Sequence, residues 1–193
     1  MELKHVYIFL FDGYSDWEIS YLTPELFKDE KISLKTFTLN GAAITSMGGL
    51  QITPDLSLAQ VKVEEVSVLV LPGGTAWEEH KTEGIDELIA DLYQAGKTIA
   101  AICAATTYLG EKGYLDSVKH TSNDLDYLKS VAPAYKGEQN YQQALAVTAH
   151  QLITANGIAP IEFAVEIFKK LELHSEAAIE KWFQLFKNGI WSE

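Results

Sequence analysis

The chain has 193 residues, 47% of them hydrophobic, with four tryptophans and nine tyrosines; that is enough apolar mass for one substantial core and excludes a disordered chain. Its formal net charge of −12 repels phosphate backbones, so nucleic acid is not an expected partner. A single cysteine excludes an intramolecular disulfide and suits a reducing compartment.

No apolar run reaches the length of a membrane span, and the first residues lack a signal-peptide pattern. The expectation is one domain, residues 1–193, in the cytoplasm. No low-complexity tract, internal repeat or long linker divides it. No Cys/His cluster has metal-ligand spacing, so neither a metal nor a cofactor is expected.

Residues 6–11 form a continuous apolar run ending in Asp12-Gly13, the pattern of a buried parallel strand and its turn. Ser15 and Glu18 then stand at capping-box spacing. Glu18 therefore has two readings. It either supports its own helix start or lies as a carboxylate at the carboxyl edge of the sheet, where ligand sites of open α/β sheets sit. Thr23-Pro24 marks a second helix start. Residues 32–39 alternate as a strand, and Met47-Gly48-Gly49 sits at the tip of a small β-excursion. Residues 58–63 are a linker or a short helix.

Residues 66–71, VSVLVL, are a second buried strand running into Pro72-Gly73-Gly74-Thr75. Paired glycines there make either a plain tight turn or a loop whose Gly74 amide is free to donate to an oxyanion. Residues 84–95 are helical by period, with Gly96 as the C-terminal cap. Residues 98–102 are a third buried strand and 104–111 begin a helix, which puts Cys103 at the turn between them. Ala101, Ala104 and Ala105 surround it, a small-residue pattern analogous to the G-x-S-x-G elbow. Amides at the helix start favour thiolate over thiol, so a thiol pKa below the free value is expected. The bland alternative is a buried structural cysteine.

Residues 118–123 are polar and are expected to include a short strand. A helix is expected over 124–131 and turns over 133–141. Residues 145–148 and 152–155 pair as strands, Asn156-Gly157 ends the second, and Pro160 opens an amphipathic helix to Leu171. Ser175 caps a last helix carrying Ile179, Trp182, Phe183 and Phe186. The alternation of strands and helices predicts a doubly wound α/β fold. In such a fold Glu18, the Gly73-Gly74 loop and Cys103 converge on one crevice.

These residues carry a resemblance. FDGYSDWE, LPGGT, AICAAT and ITANG resemble motifs of the ThiJ/PfpI superfamily, whose fold is shared with class I glutamine amidotransferases, over about residues 4–171. The resemblance implies a flavodoxin-like three-layer sandwich with a mostly parallel central sheet and Cys103 on a nucleophile elbow. It implies a protonated Glu18 hydrogen-bonded to the thiolate, and oxyanion amides from Gly74 and Ala104. Two departures matter. The position after the nucleophile is Ala104, where the PfpI proteases have histidine, and no His-x-Glu pair follows near the C-terminus. His120 lies in the segment that supplies a histidine in other branches, with Asn123 as the alternative occupant of that place. His80 and His150 can also approach the crevice but read as surface residues.

Three functions are compatible with this pattern. Cys103, Glu18 and His120 can form the catalytic set of a cysteine-dependent hydrolase, lyase or glyoxalase-like enzyme acting on a small carbonyl or amide. Cys103 can instead be an oxidisable sensor of oxidative stress. Lastly, the chain can be a chaperone-like dimer in which the cysteine is residual. The expected partners are a small-molecule substrate and a second copy of the chain as a homodimer, with no membrane.

Overall fold

The computed structural model describes residues 3–191. Its centre is a seven-stranded sheet. In chain order the elements are β1 (Lys4–Phe9), α1 (Thr23–Lys28), β2 (Ile32–Thr38), β3 (Ile44–Thr45), β4 (Gln51–Ile52), β5 (Leu56–Ser57), β6 (Val68–Leu71), α2 (Asp86–Gln94), β7 (Thr98–Ile102), α3 (Ala105–Glu111), α4 (Leu125–Val131), β8 (Ala146–Ala149), β9 (Leu152–Ala155), α5 (Pro160–Leu171) and α6 (Glu176–Asn188).

The strand order is β5-β2-β1-β6-β7-β9-β8, with β3 and β4 forming a separate two-stranded ribbon. Within the large sheet every pairing is parallel except β8 against β9. The chain builds outward from β1 to β2 and β5, then returns to the other side of β1 to lay down β6, β7 and β9. The order in which strands are added therefore reverses between β1 and β6, and in open α/β sheets such a switch point is where ligands bind, outside the carboxyl ends of the strands.

Strand period decides which side chains enter which core. Val6, Ile8, Val68, Val70, Ala100, Ile102 and Ile153 face the layer of α1, α5 and α6, where Leu26, Phe163, Phe168 and Ile179 meet them. The alternate residues Tyr7, Phe9, Leu69, Leu71, Ile99 and Ala101 face α2, α3 and α4, packing on Ile89, Leu92, Leu109 and Leu128. β6 and β7 are buried along their whole length, because parallel strands covered by helices on both faces have no wet side.

Register sets the level of the crevice. Leu71 pairs with Ala101 and Ile102 pairs with Ala155. The residues that follow these strand ends, Pro72-Gly73, Cys103 and Asn156-Gly157, therefore emerge side by side.

Two local expectations need correction. Ser15 makes no side-chain cap hydrogen bond, and residues 16–18 form a single 3-10 turn, not a longer helix. Residues 118–123 form no strand; a lone bridge joins His120 to Tyr141. His120, Thr121 and Ser122 are buried, and Thr121 finds its partners outside any ladder: its amide donates to Thr154 Oγ1 of β9 at 2.9 Å and its hydroxyl to the Ala144 carbonyl at 2.7 Å. Of the two readings of residues 58–63, the short helix is present as a 3-10 turn at Leu58–Gln60, and a second follows at Val63–Glu65.

Candidate active site

Cys103 has φ 59°, a left-handed backbone that costs a non-glycine residue roughly 1–3 kcal/mol. The turn is held from three sides. The Cys103 amide donates to the Ala155 carbonyl of β9 at 2.9 Å. Its carbonyl accepts the Thr106 hydroxyl at 2.6 Å, and that hydroxyl pairs with Ser122 Oγ at 2.7 Å. Strain so held is one mark of a functional position.

Glu18 is fully buried. It does not cap its own turn. Its Oε2 accepts the Gly73 amide at 2.5 Å, its Oε1 is buried with no hydrogen-bond partner among the described residues, and the carboxyl acts electrostatically on the Cys103 thiol. A Cβ built on Gly73 would lie 2.7 Å from Cys103 Cβ and 2.8 and 2.9 Å from the two Glu18 oxygens. Gly73 is thus the floor on which nucleophile and carboxyl meet, and no larger residue fits. The Gly74 amide, with no acceptor among the described residues, is the donor left over at this loop. Gly74 itself has φ 145° and lies against Phe11 and the Gly13 carbonyl.

Asn123 supplies the other wall. Its Nδ2 donates to Cys103 Sγ at 3.3 Å. Its Oδ1 accepts the Gly157 amide at 2.8 Å, and its backbone carbonyl accepts Asn156 Nδ2 at 2.7 Å. The Gly157 bond fixes which end of the carboxamide faces the sulfur, since only the oxygen can accept that N–H. A Cβ on Gly157 would sit 2.7 Å from Sγ. Glycine is needed there for close approach of backbone to sulfur.

His120 is not brought to the sulfur. It is fully buried, with Nδ1 against the Val118 carbonyl at 2.7 Å and Nε2 against the Tyr135 hydroxyl at 2.6 Å. Both ring nitrogens are occupied, and burial pushes its pKa down. A neutral imidazole donating to Val118 and accepting from Tyr135 satisfies every group present. The place beside the nucleophile belongs to Asn123. His80 and His150 are exposed.

The electrostatics also differ from the expectation of a low thiol pKa. Burial, then the Glu18 charge, pushes the Cys103 thiol up to about 11, against the Asn123 and Ala104 N–H groups that favour thiolate. Burial pushes Glu18 up to about 7, against the Gly73 hydrogen bond. The two groups titrate as a pair. Protonating Glu18 removes the charge that opposes the thiolate.

Size does not mark this site. Cavities of about 760 and 720 Å³ lie elsewhere, the first around Lys4, Lys97 and Lys170 at the amino edge of the sheet, the second at Glu162, Ile179 and Phe183 between α5 and α6. Among the described residues no group of three or more His, Cys, Asp or Glu is arranged to hold a metal ion.

A profile of the DJ-1/PfpI family matches residues 4–170. The chain belongs to the DJ-1/PfpI family. It is 45% identical over 194 residues to a Bacillus subtilis protein named as an uncharacterized protease, YoaZ, covering 97% of this chain and 92% of that one. A Thermococcus kodakarensis protein named as a deglycase is 30% identical over 112 residues, 58% of this chain and 67% of that one. The crystal structure of a thiJ/pfpI family protein from Bacillus anthracis superposes with a TM-score of 0.93 at 42% identity, covering 98% of this chain and 93% of the other. Within this DJ-1/PfpI chain, Gly157 is a residue against the sulfur that sequence patterns show only as a turn glycine. The Gly73-Gly74 loop was legible as part of the crevice, but not that Gly73 is the glycine packed on Cys103 and Glu18.

Proposed function

We propose that the chain is a cysteine-dependent hydrolase or lyase in which Cys103 attacks the carbonyl carbon of a small neutral substrate. The observation that carries this reading is the buried Glu18 carboxyl acting on a backbone-strained Cys103. Thiolate attack forms the C–S bond and moves the carbonyl π-pair onto oxygen. The free Gly74 amide and the Ala104 amide at the elbow are the available donors to that oxyanion. The proton held by Glu18 is the one available to return to the product. Relatives named as protease and deglycase support a hydrolase-like role without choosing the substrate.

Charge narrows the substrate class. All fifteen basic residues are lysines, so no guanidinium is present to clamp a carboxylate. The charge acting on the sulfur is that of Glu18. A neutral aldehyde or amide suits this environment better than an anion. The protein is proposed to work in the cytoplasm as a homodimer without nucleic acid; among the described residues no helix is long and apolar enough to cross a membrane.

One observation favours the sensor reading: the neighbour of the sulfur is Asn123, which cannot shuttle a proton. The deciding experiment assays methylglyoxal, small amides and peptides with the purified protein and with Cys103→Ser. Cys103-dependent turnover of any of them is expected. No turnover, with stoichiometric oxidation of Cys103 at low peroxide and an intact fold, would replace the enzyme by the sensor.

A further inference from the structure

We propose that Trp77 is a positioning residue for the reactive pair: its indole N–H holds the Pro72–Gly73 peptide so that the amide of that peptide is aimed at the Glu18 carboxyl. The inference rests on Glu18 and Cys103 being that pair, as the proposed function has it, but not on any particular substrate.

A peptide unit is planar and trans, so its carbonyl and its N–H point in opposite directions. Holding one end therefore aims the other. The Pro72 carbonyl and the Gly73 N–H are the two ends of one such unit. Trp77 Nε1 donates to the Pro72 carbonyl at 2.8 Å, and the Gly73 amide donates to Glu18 Oε2 at 2.5 Å. Both bonds are buried. A peptide that accepts at its oxygen is a stronger donor at its nitrogen, so the indole strengthens the bond to Glu18 as well as orienting it. The next two carbonyls of the loop are held too: that of Gly73 accepts the Ser15 amide at 2.9 Å, and that of Gly74 accepts the Trp77 amide at 3.3 Å. Trp77 thus holds the first and third of three consecutive carbonyls.

The indole is itself fixed. Trp77 is 4% exposed, with its ring edge-on to Phe9 and Phe11 at 6.0 and 5.7 Å and tilted against Tyr108 at 5.3 Å between centroids. A phenylalanine would also fill this apolar layer; the buried N–H, which needs an acceptor, is what tryptophan adds. Of the titratable groups here, Cys103 acts with Glu18, and Tyr108 stands against the indole, its hydroxyl donating to Asp86 at 2.9 Å beside Lys112. Burial pushes the Cys103 thiol up to about 11 and the Tyr108 phenol up as well. That leaves Glu18, pushed up by burial to about 7, as the one of them that titrates near neutrality. The indole acts through the Gly73 amide and exchanges no proton with a substrate, so its role is positioning and not catalysis.

The test reads Glu18 itself, by carboxyl NMR of the full chain with isotope-labelled glutamate, Glu18→Gln identifying its signal. Trp77→Phe keeps an aromatic ring and removes the N–H. The Gly73 bond favours the charged carboxylate, so weakening it is expected to make Glu18 harder to ionise, by about two- to tenfold in its acid constant, part of the worth of one hydrogen bond to a charged group. A merely loosened core would admit water to the carboxyl and ease its ionisation, so the sign separates the two. Unchanged or easier ionisation in a folded Trp77→Phe overturns the proposal. A second readout needs no change at position 77. The Trp77 indole N–H signal, assigned through its contacts with Phe11 and Tyr108, is expected to shift with pH at the Glu18 midpoint in the unaltered chain and to stay flat there in Glu18→Gln. An indole signal that ignores Glu18 overturns the proposal, whether or not Trp77→Phe folds. Neither readout needs turnover. Failure of the enzyme reading shows as no Cys103-dependent turnover in the unaltered chain with the NMR effects present; failure of this proposal shows as turnover with either effect absent.

Discussion

Glu18 Oε2 accepts the Gly73 amide at 2.5 Å, linking the exit of β1 to the exit of β6 across the point where the order of strand addition reverses. The hydrogen bond favours a charged carboxylate, and burial opposes it more strongly, so Glu18 is pushed up to about 7. A carboxyl with a raised folded pKa binds its proton more tightly folded than unfolded. Its contribution is therefore fully present below the unfolded value and is lost as pH rises through the folded one. Stability is expected to fall between about pH 4.5 and 7 by on the order of 2–3 kcal/mol from this group. Glu18→Gln, which can still accept from Gly73, should flatten that fall. Urea denaturation of both proteins at pH 5 and pH 8 measures it.

Gly157→Ala would put a methyl 2.7 Å from Cys103 Sγ and 3.2 Å from Asn123 Oδ1. The atoms in the way belong to short, hydrogen-bonded side chains, so overpacking should cost about 1–3 kcal/mol. The Asn123 contact should be disturbed with it. A lowered melting temperature together with a changed alkylation rate is expected. Gly73→Ala should behave in the same way, since its Cβ meets Cys103 Cβ at 2.7 Å.

His120→Ala and Asn123→Ala should separate fold from reactivity. Removing His120 leaves the Val118 carbonyl and Tyr135 hydroxyl buried without their partner, at a cost on the order of 2–4 kcal/mol including the cavity. Alkylation of Cys103 at a temperature where the variant is folded should be nearly unchanged. Asn123→Ala removes an N–H that favours the thiolate, so its alkylation profile should move to higher pH. Quenched alkylation followed by intact mass spectrometry reads both.

Thr106→Val keeps the shape and removes the hydroxyl that holds the Cys103 carbonyl at 2.6 Å and meets Ser122 at 2.7 Å. The left-handed turn loses its brace, and Ser122 loses a buried partner. A destabilisation of about 1–3 kcal/mol is expected, measured by chemical denaturation.

The buried strands were legible because their signal is local. VSVLVL and TIAAI read as strands covered on both faces, and that pattern holds whatever the rest of the chain does. The placement of Cys103 on a strand-to-helix turn, and of Glu18 and the paired glycines at neighbouring strand ends, followed from the alternation of elements. What sits within reach of the sulfur did not. His120 and Asn123 are three residues apart in an irregular segment with no period to orient them, so only packing against β9 and the 133–141 loop turned Asn123 to Cys103 and His120 to Tyr135. Ser15 and Glu18 have the spacing of a capping box, but a buried Gly73 amide from a strand far along the chain claimed the carboxylate. The choice between Gly73 and Gly74, and the sign of the Cys103 shift, were likewise decided by tertiary structure. Burial and the distances between groups from separate strands set both, and neither quantity is written in local sequence.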